Sequence, residues 1–236
     1  EEDFSATSQS RSADPPIAAT TANDHCFWLY SSGSTGRPKG TIHIHSSLSQ
    51  TATIYAQPTL ALRESDIIFS AAKLFFAYGL GNSLSFPLSA GATTVLMSGR
   101  PTPASVFEHL VKYQATIFFG VPTLYSAMLA DENFPKIEEL NLRLCVSAGE
   151  PLPADLGKRW QEKTGLEILD GIGSTEMLHI FLSNQSGRVR YGTTGEPIPG
   201  YELRIVNDEG SLVEEGEIGE LHVKGPTSAV EYWNQP

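Results

Sequence analysis

Six short apolar runs, at residues 26–30, 67–70, 93–97, 116–119, 142–147 and 167–169, recur along this chain of 236 residues, with helix-like segments between most of them. Each run is too short for a helix and shows little polar alternation. Such runs read as strands buried on both faces, the habit of parallel sheets. The intervening segments carry helix signals: Thr102 stands as an N-cap before Pro103, with Val106, Leu110 and Val111 behind it. In residues 153–164, Leu156 and Trp160 lie one turn apart before a stop at Gly165. The alternation predicts an α/β fold: an open, mostly parallel sheet with helices on both faces. Beyond Gly187 the pattern changes. Residues 201–206 and 218–223 alternate like half-exposed strands, predicting the start of a small antiparallel β subdomain. Residues 1–24 are polar, contain Pro15 and Pro16, and read as a linker or arm. The expected organisation is this arm, an α/β subdomain over 25–186, and a truncated β-rich subdomain over 187–236. With Glu1 in first place and the aromatic pair Tyr232 and Trp233 near the last residue, the chain reads as an internal piece of a longer protein.

Charge narrows the functional classes. The 27 acidic and 16 basic side chains give a net charge of −11, so no basic stripe is available to follow a nucleic acid or an anionic membrane. Cys26 and Cys145 both lie in apolar runs and read as buried reduced thiols. No apolar stretch approaches the ~18 residues of a membrane span and no signal peptide is evident. The expected location is the cytoplasm.

The segment with most chemistry follows the first predicted strand: Tyr30, Ser31, Ser32, Gly33, Ser34, Thr35, Gly36, Arg37, Pro38, Lys39 and Gly40. The glycines let backbone N–H groups close on an anion, the hydroxyls add donors, and Lys39 adds a point charge. This reads as a polyphosphate cradle. It is not of the Walker type, which needs Gly-Lys-Ser/Thr at its end. A flexible Gly/Ser linker is the plain alternative, disfavoured by the Arg-Pro-Lys-Gly ending and the abutting strand.

At residues 30–40 the sequence resembles the signature phosphate loop of the adenylate-forming acyl-CoA ligase superfamily. Three further segments match in the family's order. Ser147, Ala148, Gly149, Glu150, Pro151 and Leu152 resemble its adenine-contacting turn, and Gly171, Ile172, Gly173, Ser174, Thr175 and Glu176 its Gly-x-Gly-x-Thr-Glu motif. Gly219, Glu220 and Leu221, followed by Gly225, Pro226, Tyr232 and Trp233, resemble a later family segment. The resemblance implies ATP, Mg2+ and CoA as ligands. It places nucleotide contacts at Ser31, Ser32, Gly33, Ser34, Thr35, Gly36, Lys39, Gly149, Glu150, Pro151, Gly171, Ile172, Gly173, Ser174 and Thr175. Catalytic roles fall on Lys39, Thr175 and Glu176. Chemically, Gly171 and Gly173 let the chain pass flat against a planar group, Thr175 can donate to a phosphate oxygen, and Glu176 offers Mg2+ a hard oxygen. Glu176 as a solvated acid at a helix start, and Glu150 with Pro151 as simple turn chemistry, are the alternatives.

Residues 73–82 occupy the place of the family's substrate-pocket motif. Amino-acid-activating relatives carry an Asp there to pair with the ammonium; here the position falls on Ala77. A buried ammonium without a counter-charge is costly, which disfavours an α-amino acid. Phe76, Ala77, Tyr78, Gly79, Ile172, Gly173 and His179 are the candidate acyl-pocket residues, and Phe75, Phe76 and Tyr78 suggest a short, flat pocket for an aromatic ring. An aromatic cluster of this kind also occurs as plain core. His179 fits either a pocket wall or a satisfied structural histidine. His43 and His45 lack partners for zinc, and His45 reads as the cap of a helix starting at Ser46.

The resemblance is strongest to the benzoate–CoA ligase branch, implying activation of a benzoate-like acid as an acyl adenylate and transfer to CoA. It leaves open a homodimer of the parent protein. Family members also have an N-terminal part, a ribose-binding Asp, a hinge and a mobile C-terminal domain with a catalytic Lys, none of which is present here, so this chain alone is expected to be inactive. A ligase for a cinnamate-like or medium-chain acid, or a non-catalytic nucleotide-binding fragment, are the rivals.

Overall fold

The structure, a computed structural model, describes residues 17–31 and 37–235. A hairpin of β1 (His25–Ser31) and β2 (Lys39–Ile44) precedes a seven-stranded mixed sheet. The sheet contains β3 (Ile67–Ser70), β4 (Thr93–Val95), β5 (Ile117–Gly120), β6 (Leu144–Ser147), β7 (Ile168–Gly173), β8 (Ile180–Ser183) and β9 (Glu196–Pro197), in the order β4-β3-β5-β6-β7-β8-β9. Strands β3 to β7 pair in parallel; β8 and β9 are added antiparallel.

Strand residues alternate between two apolar cores. Ile68, Ile117, Phe119, Val146 and Leu169 face one side. There α1 (His45–Thr51) continues through π-helical Ala52–Ala56 into α2 (Gln57–Leu60), and α3 (Ala77–Leu80) through π-helical Gly81–Ser85 into α4 (Phe86–Ala90). Phe69, Phe118, Cys145 and Ile168 face the other side, against α5 (Pro103–Tyr113), α6 (Pro122–Ala130) and α7 (Ala154–Thr164). The expected α/β architecture with helices on both faces is borne out. Helix α5 begins as its sequence predicts, with Thr102 Oγ1 accepting from Ser105 N and Pro103 at the first position. Helix α7 presents Leu156 and Trp160 to the core and stops at Gly165, whose φ of 73° is left-handed.

Four expectations are corrected. The run at 26–30 does not join the parallel sheet: β1 pairs antiparallel with β2, because residues 32–38 are too few for a parallel crossover. Its faces alternate accordingly, and Cys26 is half-buried rather than buried. His45 does not cap α1; it is the first helical residue, preceded by Ile44 with no side-chain cap. The run at 167–169 extends through Gly173, since an antiparallel partner, β8, stabilises the glycine segment.

The expected antiparallel unit is present as β10 (Glu202–Val206) and β11 (Glu220–Lys224). Its first turn is closed by Asn207, whose Oδ1 accepts from Glu209 N and Ser211 N. Residues 230–233 then return along β2: Val230 N donates to Ile42 O, Ile42 N to Glu231 O, and Trp233 N to Gly40 O.

Candidate active site

Strand β3 has β4 on one side and β5 on the other, so the chain changes direction there, and a crevice opens beyond the carboxyl ends of the parallel strands. A cavity of about 810 Å³ lies in this position. Ala71 and Ala72 follow β3, Val121 follows β5, Ala148 and Gly149 follow β6, and Gly173 with Ser174 and Thr175 ends β7; all line it. Of the candidate residues named from sequence, Phe76, Ala77, Tyr78, Gly149, Gly173, Ser174, Thr175 and His179 are brought together in its wall. Ser31, Lys39, Glu150, Pro151, Gly171, Ile172, Glu176 and Gly79 are not part of that wall. Ser32, Gly33, Ser34, Thr35 and Gly36 lie outside the described residues. Lining residues that sequence reasoning did not place in the site include Arg100, Thr102, Thr123 and Leu124. The N-cap signal at Thr102 marked a helix start but not which cavity it faces.

Local packing explains the glycines. A Cβ on Gly173 would lie 2.5 Å from the carbonyl oxygen of His179, and one on Gly171 2.9 Å from that of Leu182, so close approach of β8 requires both. Gly149 has a φ of 92°, which the turn after β6 needs. Gly79 sits where a Cβ would strike the carbonyl of Lys73, and thereby shapes the turn that carries Phe76 and Ala77.

His179 is shared between the cavity and the core beneath it. It lines the cavity, yet is only 3% exposed, with Tyr55, Tyr78 and Phe86 around its ring. Asn82 Nδ2 donates to Ser70 Oγ, which turns its Oδ1 toward His179 Nε2 at 3.1 Å. Burial holds the imidazole pKa down at about 3, so a neutral ring donates from Nε2. Gly81 makes room for the ring, since a Cβ there would strike it.

Thr175, in the cavity wall, and Glu176, outside it, form a turn braced from two directions. From the hairpin, His43 Nε2 donates to Thr175 O at 2.8 Å and Ser31 Oγ to Glu176 Oε1 at 3.3 Å. From the returning segment, Ala229 N donates to Glu176 O at 2.7 Å, Thr227 Oγ1 to Met177 O at 2.7 Å, and Tyr232 Oη to Glu176 Oε1 at 2.9 Å. Lys39 Nζ stands 5.0 Å from the centre of the Tyr232 ring. Among the described residues no group of three His, Cys, Asp or Glu converges. A lone carboxylate such as that of Glu176 is compatible with Mg2+, which is commonly held by one or two carboxylates plus nucleotide phosphates rather than by a protein cage.

Asp170 was not singled out from sequence. It stands on β7 opposite Ser147, only 3% exposed, and burial pushes its carboxyl up to about 6. A lone acid inside an apolar run just before Gly171 was its available signal.

A mostly parallel sheet with a cavity at its switch point, flanked by a braced Thr-Glu turn and a hairpin bearing Lys39, places the chain among the α/β proteins that bind ligands beyond the carboxyl ends of their strands. The chain belongs to the AMP-binding enzyme family, whose model matches residues 1–233. It is 64% identical over 220 residues to a benzoate–CoA ligase of Thauera aromatica, covering 93% of this chain and 42% of that protein. A crystal structure of a benzoate–CoA ligase from Burkholderia xenovorans superposes with a TM-score of 0.95 at 52% identity, covering 98% of this chain and 46% of that one. The anthranilate–CoA ligase AuaEII, solved with anthranoyl-AMP, superposes with a TM-score of 0.94 at 42% identity, covering 99% and 45%. The chain thus spans less than half the length of these relatives.

Proposed function

We propose that the parent protein is an ATP-dependent aryl–CoA ligase that activates benzoate or a close relative as the acyl adenylate and passes the acyl group to CoA. The observation that carries this reading is the cavity wall. Among the described residues lining it there is no carboxylate, Ala77 stands where an ammonium partner would be needed, and Phe76, Tyr78 and His179 offer flat apolar faces. Lys73 and Arg100 are its cationic members. An anionic aromatic acid matches such a wall, and a zwitterionic amino acid does not. The relatives, a benzoate–CoA ligase and an anthranilate–CoA ligase, support the same substrate class.

In the proposed reaction a carboxylate oxygen of the acid attacks the α-phosphorus of ATP, the bond to the β-phosphate oxygen breaks, and pyrophosphate leaves. The CoA thiolate then attacks the acyl carbon and AMP leaves. Thr175 is assigned to donate to a phosphate oxygen, Lys39 to face phosphate charge, and Glu176 to hold Mg2+. When bound, that ion would supply neutralisation of phosphate charge. Gly149, Glu150, Pro151 and Gly171 are assigned to the nucleotide, Phe76, Ala77, Tyr78, Gly79 and His179 to the ring, and Ile172 and Gly173 to both. No protein nucleophile is required: Cys145 is buried and its thiol is pushed up to about 12. Two free thiols also fit a reducing compartment, and we place the parent in the cytoplasm.

A cinnamate-like acid is the second reading, favoured by the cavity volume of about 810 Å³, which gives room beyond a single ring. Chromatography of full-length protein with ATP, Mg2+, CoA and each acid tests the proposal. Benzoyl-CoA and AMP formed in equal amounts are expected; ADP as product, or no thioester from any aryl acid, would remove it.

A further inference from the structure

Two motif residues of opposite charge, Lys39 and Glu176, meet the same side chain from different elements. Tyr232 Oη donates to Glu176 Oε1 at 2.9 Å, while the face of its ring lies 5.0 Å from Lys39 Nζ. Among the described residues Lys39 and Glu176 make no ion pair with each other. The position of Tyr232 is set by backbone. Tyr232 bridges Thr41 of β2, Trp233 N donates to Gly40 O at 2.7 Å, and the Trp233 ring stands edge-on to Trp28 at 5.3 Å.

We propose that Tyr232 is a positioning residue of the adenylation site: its hydroxyl fixes one oxygen of Glu176 and its ring holds Lys39 apart from that carboxylate. A hydrogen bond to a carboxylate is among the stronger kinds, and it leaves Oε2 to face a cation. A cation over an aromatic face is attracted without being neutralised, so Lys39 keeps its charge for phosphate. Direct Lys39–Glu176 pairing would cancel the two charges that a metal–nucleotide complex needs separately. This inference rests on the proposed roles of Lys39 and Glu176, but not on the identity of the acid.

The test uses full-length protein carrying Tyr232→Phe, which keeps the ring and removes the hydroxyl. Binding of Mn2+ with a non-hydrolysable ATP analogue is read by electron paramagnetic resonance without any acid, so it stands even if benzoate is the wrong substrate. Loss of one charge-assisted bond, partly covered by Ser31, is expected to weaken Mn2+ binding about tenfold. The KM for acid and the unfolding midpoint should hardly move. Glu176→Gln should weaken binding as well, and the double variant should be no worse than Glu176→Gln alone, because Tyr232 acts through that carboxylate. Tyr232→Leu removes the ring too and should weaken ATP-analogue affinity further; where it does not fold, Tyr232→Phe decides. Unchanged Mn2+ binding in Tyr232→Phe, multiplicative losses in the double variant, or an equal rise in the KM for acid would each overturn the proposal.

Discussion

The imidazole of His43 donates across 2.8 Å to the main-chain carbonyl of Thr175, tying the strand that carries Lys39 to the turn that carries Glu176. His43 is fully buried, stacks on Phe27, and is kept neutral by burial. His43→Leu leaves the Thr175 carbonyl without this donor and is expected to cost about 1–3 kcal/mol of stability. It should also slow pyrophosphate release more than it raises the KM for acid. His43→Gln keeps an N–H donor and should recover part of both. Denaturant unfolding and steady-state kinetics on the parent protein check this; equal behaviour of the Leu and Gln variants would assign His43 to packing alone.

Thr175→Ala and Glu176→Gln are expected to lower the adenylation rate far more than they weaken binding of the acid, since their assigned partners change charge distribution in the transition state. Single-turnover adenylate formation and equilibrium binding of the acid separate the two effects. Rates within about threefold of the parent for both would return these residues to a structural role.

Gly81→Ala places a methyl group against the His179 ring and near Phe86. Overpacking of a filled interior typically costs about 1–3 kcal/mol. Because His179 is also cavity wall, the KM for the aryl acid should rise in parallel. A second substitution, His179→Ser, should restore stability to Gly81→Ala while leaving the acid site altered. Thermal unfolding of the single and double variants checks the expectation.

Two buried titrations act in opposite directions with pH. His179 falls from an ordinary 6.5 to about 3 in the fold, so its neutral form stabilises above pH 6.5 and that stability is lost as pH falls toward 3. Asp170 rises from 3.8 to about 6, so its contribution is present below 3.8 and is lost as pH rises through 6. Asp170→Asn is therefore expected to raise the unfolding midpoint at neutral pH and to leave it nearly unchanged near pH 4. His179→Phe should flatten the loss of stability on acidification. Scanning calorimetry across this range reads both; a larger gain for Asp170→Asn in acid than at neutral pH would contradict the assignment.

The parallel sheet was legible because its strands are flat apolar runs and α5 and α7 carry explicit caps and stops. The antiparallel additions were not. Strand β8 reaches β7 through a tight turn in which Leu178 adopts a φ of 65°, a conformation that a leucine does not announce. Strand β9 spans only Glu196–Pro197, below any periodicity. Strand β1 looked like a buried strand, and only the shortness of 32–38 argued for a hairpin. Within the site, Gly149, Thr175 and Phe76 could be named because each belongs to a motif following a strand. Tyr232 and Asp170 acquire their importance from tertiary contacts: Tyr232 is 56 residues from Glu176 along the chain, and only the fold joins them.

Substrate-dependent pyrophosphate release by the full-length protein shows whether the cavity selects an aromatic acid with no ammonium group. Benzoate, phenylacetate, cinnamate, hexanoate and phenylalanine would be compared at matched concentrations with ATP and Mg2+. Benzoate should give the highest kcat/KM, with phenylalanine at least about a hundredfold lower because its ammonium finds no carboxylate beside Ala77. A preference for phenylalanine or for hexanoate would contradict that selection.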